Sequence, residues 1–298
     1  MKKIEKQVMY VERDVSWMYF NHRILQEAEK SEVPLLERLS FLGIYSNNLD
    51  EFFRVRVATL NRLADSEALP EKHRKTLKKT LKTINQLNEA YAAEYAQAID
   101  TVFDELEQHH IRVLNETQLN DEQKQYLRRF FYDKLNGSTN PIWLSAIDDF
   151  NVFEDNRIYL VVRKAHIEGD GKVKYAIIKV PDRVYGRFIK IPASDGFDNI
   201  MYLDDVVRFC LPLIFIGTKP SVYDAYSFKF TKDAEMEVDN EADYGAMEKI
   251  AHGVNSRKRG VPIRVIYDRE MPREIRKRIS DRLNMRELDT SLAGGRYQ

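Results

Sequence analysis

Ile158-Tyr159-Leu160-Val161-Val162-Arg163-Lys164-Ala165-His166 and Val173-Lys174-Tyr175-Ala176-Ile177-Ile178-Lys179-Val180 flank the run Glu168-Gly169-Asp170-Gly171-Lys172. Both runs are rich in β-branched and aromatic residues, and the glycines between them supply the backbone freedom of a tight turn, so together they read as a β-hairpin. A hairpin here rules out an all-helical protein. Further strands are expected at Phe188 to Ile191, Ile200 to Leu203, Tyr226 to Phe230 and Ile263 to Tyr267. Helices are expected between them at Asp121 to Leu135, Asp204 to Phe215, Glu241 to Val254 and Pro272 to Leu283. This layout is α+β with a mostly antiparallel sheet.

Upstream the periodicity is helical. Trp17, Phe20, Ile24 and Ala28 recur at steps of three and four behind Asp14 or Ser16 as a cap, which predicts one amphipathic helix. A second is expected from Ser31, with Pro34 in its first turn, to Gly43, a residue that tolerates left-handed backbone and ends helices. A third should open after Asn47-Asn48 and bury Phe52, Val55, Leu60 and Leu63. From Lys72 to His109 a long fourth helix shows Leu77, Leu81, Ile84, Asn88, Tyr91, Tyr95, Ala98 and Val102 as one stripe. The expected organisation is an antiparallel helical bundle over 1–110 and an α+β domain over 111–298.

Composition narrows the function classes. The 298 residues carry 47 Lys and Arg against 47 Asp and Glu, so the whole chain has no electrostatic reason to seek nucleic acid or a membrane surface. From Ala251 to Gln298, however, twelve Lys and Arg face six Asp and Glu, which makes the tail a candidate anion-facing surface. The single cysteine, Cys210, allows no internal disulfide and suits a reducing compartment, with cytoplasm as the default. The longest apolar run, Phe209 to Ile216, is short and broken by Pro212, so no membrane span is expected. No phosphate-binding glycine loop, Cys/His metal spacing or Ser/His/Asp arrangement is present.

The run Phe41-Leu42-Gly43-Ile44-Tyr45-Ser46-Asn47-Asn48-Leu49-Asp50-Glu51-Phe52-Phe53 places two adjacent amides where a helix is expected to close and another to open. Ser46 or Asn47 can accept from the first free amides, and Asp50 and Glu51 suit the positive end of the helix dipole. Locally this reads as a helix start and says nothing about chemistry. The wider wording does. Asp14-Val15-Ser16-Trp17-Met18-Tyr19-Phe20-Asn21-His22-Arg23-Ile24-Leu25-Gln26-Glu27-Ala28, Pro34-Leu35-Leu36-Glu37-Arg38-Leu39 and the run from Ser46 to Arg56 closely resemble, in order and spacing, the start of bacterial polyphosphate kinases of the first type. Tyr226-Ser227-Phe228-Lys229-Phe230-Thr231-Lys232-Asp233-Ala234-Glu235, Pro262-Ile263-Arg264-Val265-Ile266-Tyr267-Asp268 and Gly294-Gly295-Arg296-Tyr297 look like later landmarks of the same family.

The resemblance implies an enzyme that moves the γ-phosphate of ATP reversibly onto inorganic polyphosphate, with magnesium neutralising charge and ATP/ADP as the nucleotide. Family members are longer than this chain and carry their phosphate-accepting histidine in carboxy-terminal domains, expected here beyond Gln298. The 298 residues would then be a front portion, inactive alone, with a helical nucleotide cap and a head domain that mediates contact in a homodimer or higher oligomer. Carried over by motif, Asn48 would contact ATP, its amide offering both a donor and an acceptor to a purine edge. Asn47 and Arg56, with Arg54 beside it, are secondary candidates.

Other residues have plainer readings. Asp50 and Glu51, adjacent on a helix, diverge by about 100° and suit a dipole better than a metal or a shared proton. Phe52 and Phe53 read as core. His73 precedes Lys75 at the His-x-Lys spacing of phosphohistidine domains, but it lies on a polar helix face. His22, His166 and His252 have no recognisable partner spacing, and His109 and His110 close a helix. Arg257-Lys258-Arg259 and Arg273, Arg276, Lys277, Arg278 and Arg282 form the basic tail, read first as solvated charge. The alternative from another class is a non-catalytic interaction or anion-binding module, or a truncated remnant.

Overall fold

The computed structural model describes residues 10–147, 152–167, 172–232, 262–282 and 291–294. The expected helix at 241–254 and the basic run 257–259 lie outside them. The chain divides into two compact units, 1–98 and 99–298, with the division inside one long helix.

The first unit holds α1 (Arg13–Glu29), α2 (Leu35–Phe52), a π-helical turn (Phe53–Val57), α3 (Ala58–Asp65) and the front of α4 (Glu71–Gln108). The cap of α1 is Glu12, not Asp14 or Ser16: its Oε2 accepts from the amides of Asp14 and Val15 at 2.8 and 3.1 Å. The buried stripe of α1 is Val15, Met18, Asn21, Leu25 and Ala28, whereas Phe20, expected inside, is 61% exposed. The helix is apolar on more than one side, and a hydrogen-bonded amide holds the core-facing position that the pattern gives to a hydrophobe.

Two expected breaks are absent. α2 continues through Gly43 and through Asn47-Asn48, so the paired amides sit in mid-helix with no corner. Gly43 costs an uninterrupted helix about 1 kcal/mol. That is small beside the packing of Arg38, Leu42, Tyr45, Leu49 and Phe52, a stripe that spans Gly43 on both sides and is buried throughout. The glycine itself is exposed, with open space where a Cβ would lie. The irregularity comes later. The π turn shifts the phase of everything after it, so that Val57, Ala58, Leu60 and Ala64 are buried while Leu63 is 41% exposed. α4, by contrast, runs as its stripe predicts, with Ile84, Asn88 and Tyr91 buried.

The second unit contains two sheets. β1 (Ile111–Leu114) runs parallel to β6 (Asp198–Tyr202), which pairs antiparallel with β5 (Phe188–Ile191), giving the order β1-β6-β5. The larger sheet has the order β2-β4-β3-β7-β8-β9, built from β2 (Ile142–Trp143), β3 (Ile158–His166), β4 (Val173–Lys179), β7 (Ser221–Lys232), β8 (Pro262–Asp268) and β9 (Ser291–Gly294). All its pairings are antiparallel except β8 with β9. The hairpin expected from the sequence forms with its central pair Val162 opposite Ala176.

β3 is apolar at successive positions because both of its faces are covered. Ile158, Leu160 and Val162 join a core with α5 (Asp121–Phe130) and α7 (Leu203–Ile214), the second including Val206, Cys210 and Leu211. Tyr159 and Val161 face the other way, onto Phe228, Phe230, Val265 and the buried Ile275 and Ile279 of α8 (Arg273–Arg282). A capping box starts α5, with Asn120 and Gln123 each accepting from the other's amide. A short helix, α6 (Asp182–Tyr185), follows β4. The fold is α+β, helical in the first unit and with largely antiparallel sheets in the second. Among the described residues no helix is long and apolar enough to cross a membrane.

Phe228 lies 5.3 Å from Phe230 and 6.0 Å from Phe153, centroid to centroid. Phe228→Ala should therefore lower the unfolding free energy of the second unit by about 3–5 kcal/mol in guanidinium titration. Val222→Ala, on the same strand but 55% exposed, should change it by no more than about 0.5 kcal/mol.

Candidate functional site

The first unit places three cross-links along the line where α1 meets α2. The inner one is an amide relay: Asn21, 1% exposed, donates from Nδ2 to the carbonyl of Tyr45 at 3.2 Å, and its Oδ1 accepts from Nδ2 of Asn48 at 3.3 Å. Next to it Trp17 and Phe52 stack with centroids 4.0 Å apart and planes 2° from parallel. The outer link is a two-point ion pair in which Arg56 donates from Nε and Nη2 to the two oxygens of the buried Asp14 at 2.9 and 3.0 Å. Asp14, Trp17 and Asn21 thus face Arg56, Phe52 and Asn48 in antiparallel order. At the far end Arg38, 2% exposed, donates to the carbonyl of Ala28 at 2.7 Å and satisfies the end of α1.

Helical geometry explains why Arg56 belongs to this row. On an unbroken α-helix residue 56 would stand about 80° around the axis from Asn48. A π turn carries one extra residue, which returns position 56 by about 100° and brings it within about 20° of Asn48. The π turn at Phe53–Val57 therefore aims Arg56 at Asp14. Burial pushes the Asp14 pKa upward, Glu12 adds to that, and Arg13 opposes it. The Arg56 fork works in the same direction as Arg13, favouring the carboxylate.

Asn48 is half-buried, and among the described residues no group donates to its Oδ1. One edge of the amide is thus fixed by Asn21 while the rest of the group faces outward. Asn47 is exposed, about one third of a turn away, and the structure does not bring it to the row. Arg54 turns aside to Glu51, 3.1 Å away. Asp50 and Glu51 do not mark a helix start: Asp50 is buried in mid-helix and Glu51 is an exposed partner of Arg54. Phe52 and Phe53 are core, as expected.

Two features were not legible from spacing. Asn21 carries the relay, and its signal was a polar residue at a core-facing step between Met18 and Leu25. His22 has partners from α4: its Nε2 lies 2.6 Å from Glu94 Oε2 and its ring stacks on Tyr91 at 3.8 Å. Burial, reinforced by Glu94 and opposed by His22, raises the pKa of Glu29. His73 is exposed on α4. Among the described residues no group of three or more His, Cys, Asp or Glu is placed to share a metal ion.

The chain as a whole is similar to known proteins. The family model for the polyphosphate kinase N-terminal domain matches residues 10–114, and that for the polyphosphate kinase middle domain matches residues 122–298. Polyphosphate kinases of Vibrio parahaemolyticus serotype O3:K6 and Escherichia coli K12 are each 33% identical to it, over 97% of this chain and 42% of theirs. The crystal structure of polyphosphate kinase from Porphyromonas gingivalis superposes with a TM-score of 0.74 at 29% identity, covering 96% of this chain and 39% of that one. The chain spans about two fifths of the length of these relatives.

The Asp14–Arg56 pair should be energetically coupled despite the 37% exposure of Arg56. In a double-mutant cycle of Asp14→Ala and Arg56→Met read by urea unfolding, coupling above about 1 kcal/mol is expected. The exposed Glu51–Arg54 pair should give less than about 0.5 kcal/mol. Equal coupling in the two cycles would contradict a structural role for the outer link.

Proposed function

The chain belongs to the polyphosphate kinase family, and from that premise we propose that it forms the nucleotide-holding front of an enzyme that transfers the γ-phosphate of ATP reversibly to inorganic polyphosphate. The observation that carries the nucleotide part is the half-fixed amide of Asn48. Asn21 sets its orientation and leaves Oδ1 and an N–H to meet the amino group and a ring nitrogen of adenine. The backbone under it is rigid, because α2 is tied to α1 at Asp14, Trp17, Asn21 and Ala28. A reading group held this way loses little entropy on binding.

Asn47 and Arg56 take lesser parts. Arg56 commits two donors to Asp14, so its contribution is to hold the row, with Nη1 left to approach a phosphate. The phosphoryl acceptor is a histidine beyond Gln298. His22 is engaged by Glu94 and Tyr91, and His73 lies exposed among lysines, which supports looking for the acceptor elsewhere. In this reading the second unit mediates contact between subunits.

Calorimetric titration of the 298-residue chain with ATP tests the assignment. Asn48→Ala should weaken binding about ten-fold, the value of roughly one hydrogen bond to a well-placed group. Asn47→Ala should leave affinity within about two-fold. A wild-type chain that binds no ATP, or an Asn48→Ala variant that binds it equally well, overturns the nucleotide role. Incorporation of γ-phosphate into acid-insoluble polymer by the purified chain would overturn the separate claim that the acceptor histidine lies outside it.

A further inference from the structure

Within the second unit an open cleft of about 920 Å³ lies between the β2–β4–β3 edge of the large sheet and one side of α8. Its walls carry four cations, Arg163, Lys174, Arg278 and Arg282, against two carboxylates, Glu274 and Asp281. Asp224, the partner of Arg163, brings the carboxylates to three, so the surplus is one positive charge, with the cations spread over three separate elements of a chain whose net charge is zero.

Aromatic faces, backbone carbonyls and the carboxylates of Glu274 and Asp224 hold these cations in place. Arg278 lies over the ring of Tyr175, 5.0 Å from its centroid, and donates from Nε and Nη2 to Glu274 Oε1 at 3.0 and 2.9 Å. Tyr175 in turn donates to the same oxygen at 3.3 Å. Lys174 sits over Trp143, 5.4 Å from the ring centroid, and has no carboxylate partner among the described residues. Arg282 donates from Nε and Nη2 to the carbonyls of Leu144 and Ser145 at 3.2 and 2.7 Å. Arg163, opposite Tyr175 in the β3–β4 register, donates from Nη1 to Asp224 at 2.8 Å.

An aromatic face orients a cation without using its N–H donors. A guanidinium anchored along one edge keeps its other edge for an anion and needs little further ordering to bind it. A singly charged ligand would meet one of these groups. Cations spread over β3, β4 and α8 match an anion whose charges are repeated along its length.

We propose that this cleft binds a run of condensed phosphate, an extended stretch of inorganic polyphosphate, through the guanidinium groups of Arg163 and Arg278 and the ammonium of Lys174. The choice of inorganic polyphosphate rests on the chain's membership of the polyphosphate kinase family, whereas the anion-binding character rests on the side chains themselves. The basic tail thus acts through Arg278, in concert with strand residues far from it in sequence.

Fluorescence anisotropy of end-labelled polyphosphate with the 298-residue chain provides the test, with ATP affinity measured in parallel. Lys174→Ala and Arg278→Ala, both on exposed side chains, should each weaken polyphosphate binding several-fold and together at least ten-fold, with ATP affinity unchanged. Arg278→Lys should recover part of the loss, because charge is retained and the fork is not. Arg129→Ala, exposed on α5 away from the cleft, should have no effect. A single-stranded oligonucleotide at equal phosphate concentration should compete poorly, and equal competition would overturn polyphosphate as the ligand. Polyphosphate binding that ignores Lys174 and Arg278 while ATP still binds sinks the cleft and leaves the nucleotide reading standing. Failure to bind either ligand sinks both.

Discussion

A buried carboxamide sets the arrangement of the first unit. Asn21 is sealed from water between two helices, and an amide so placed costs up to several kcal/mol unless its donor and acceptor are both met. The carbonyl of Tyr45 and the amide of Asn48 meet them. Both partners lie on α2, at positions three residues apart, so only one rotation and one axial offset of the helix pair satisfy Asn21. The Trp17–Phe52 stack and the Asp14–Arg56 fork fall at the next steps along the same line and agree with that offset. Hydrophobic contact alone would not choose among neighbouring offsets so sharply, because α1 also carries apolar side chains such as Phe20 on its outer face.

The second unit uses buried polar groups differently. Asp204 and Asp205, both fully buried at the start of α7, are met by Arg187 at 3.1 Å and Arg208 at 2.6 Å. Burial drives the Asp204 pKa upward and the two arginines oppose it. Arg208 also donates to the carbonyl of Ala225, linking α7 to β7. Such pairs add little net stability once desolvation is counted. Their value is positional: they fix α7 over the large sheet, whose opposite face is then free to carry α8 and the cleft that α8 lines.

Legibility followed periodicity and failed where periodicity changed. The hairpin at 158–180, the α4 stripe and the helices expected at 204–215 and 272–283 form close to where the sequence places them, whereas the helix expected over 121–135 is α-helical only to Phe130 and ends in a second π turn, Phe131–Leu135. Gly43 misled because its cost to a helix is intrinsic and local, whereas the gain from burying Leu42, Tyr45 and Leu49 comes from a partner helix that a sequence does not display. The π turn was invisible for a related reason. Its signature is a one-residue phase slip between Phe52 and Val57, and a 3.6-residue template simply assigned Leu63 to the core in place of Ala64. Trp143, Arg163, Lys174 and Tyr175 gave no sign of belonging with Arg278 and Arg282, since sheet pairing and helix packing bring them together from distant parts of the chain.

The mid-helix position of Asn48 changes the physics proposed for it. At a helix start an Asn side chain is drawn to the free backbone amides of the first turn, and a ligand would have to compete with that capping bond. In the middle of α2 those amides are already paired within the helix, so the capping competitor is gone. Asn21 replaces it with a single longer contact of 3.3 Å that orients the group and leaves its acceptor open. Asn47, identical in chemistry and adjacent in sequence, has the freedom without the orientation. Arg56 has the orientation, but its Nε–Nη2 edge is committed to Asp14. Of the three candidates Asn48 alone combines a fixed geometry with an unspent acceptor, and the discrimination among them comes from helical phase, because residue type does not separate the two asparagines.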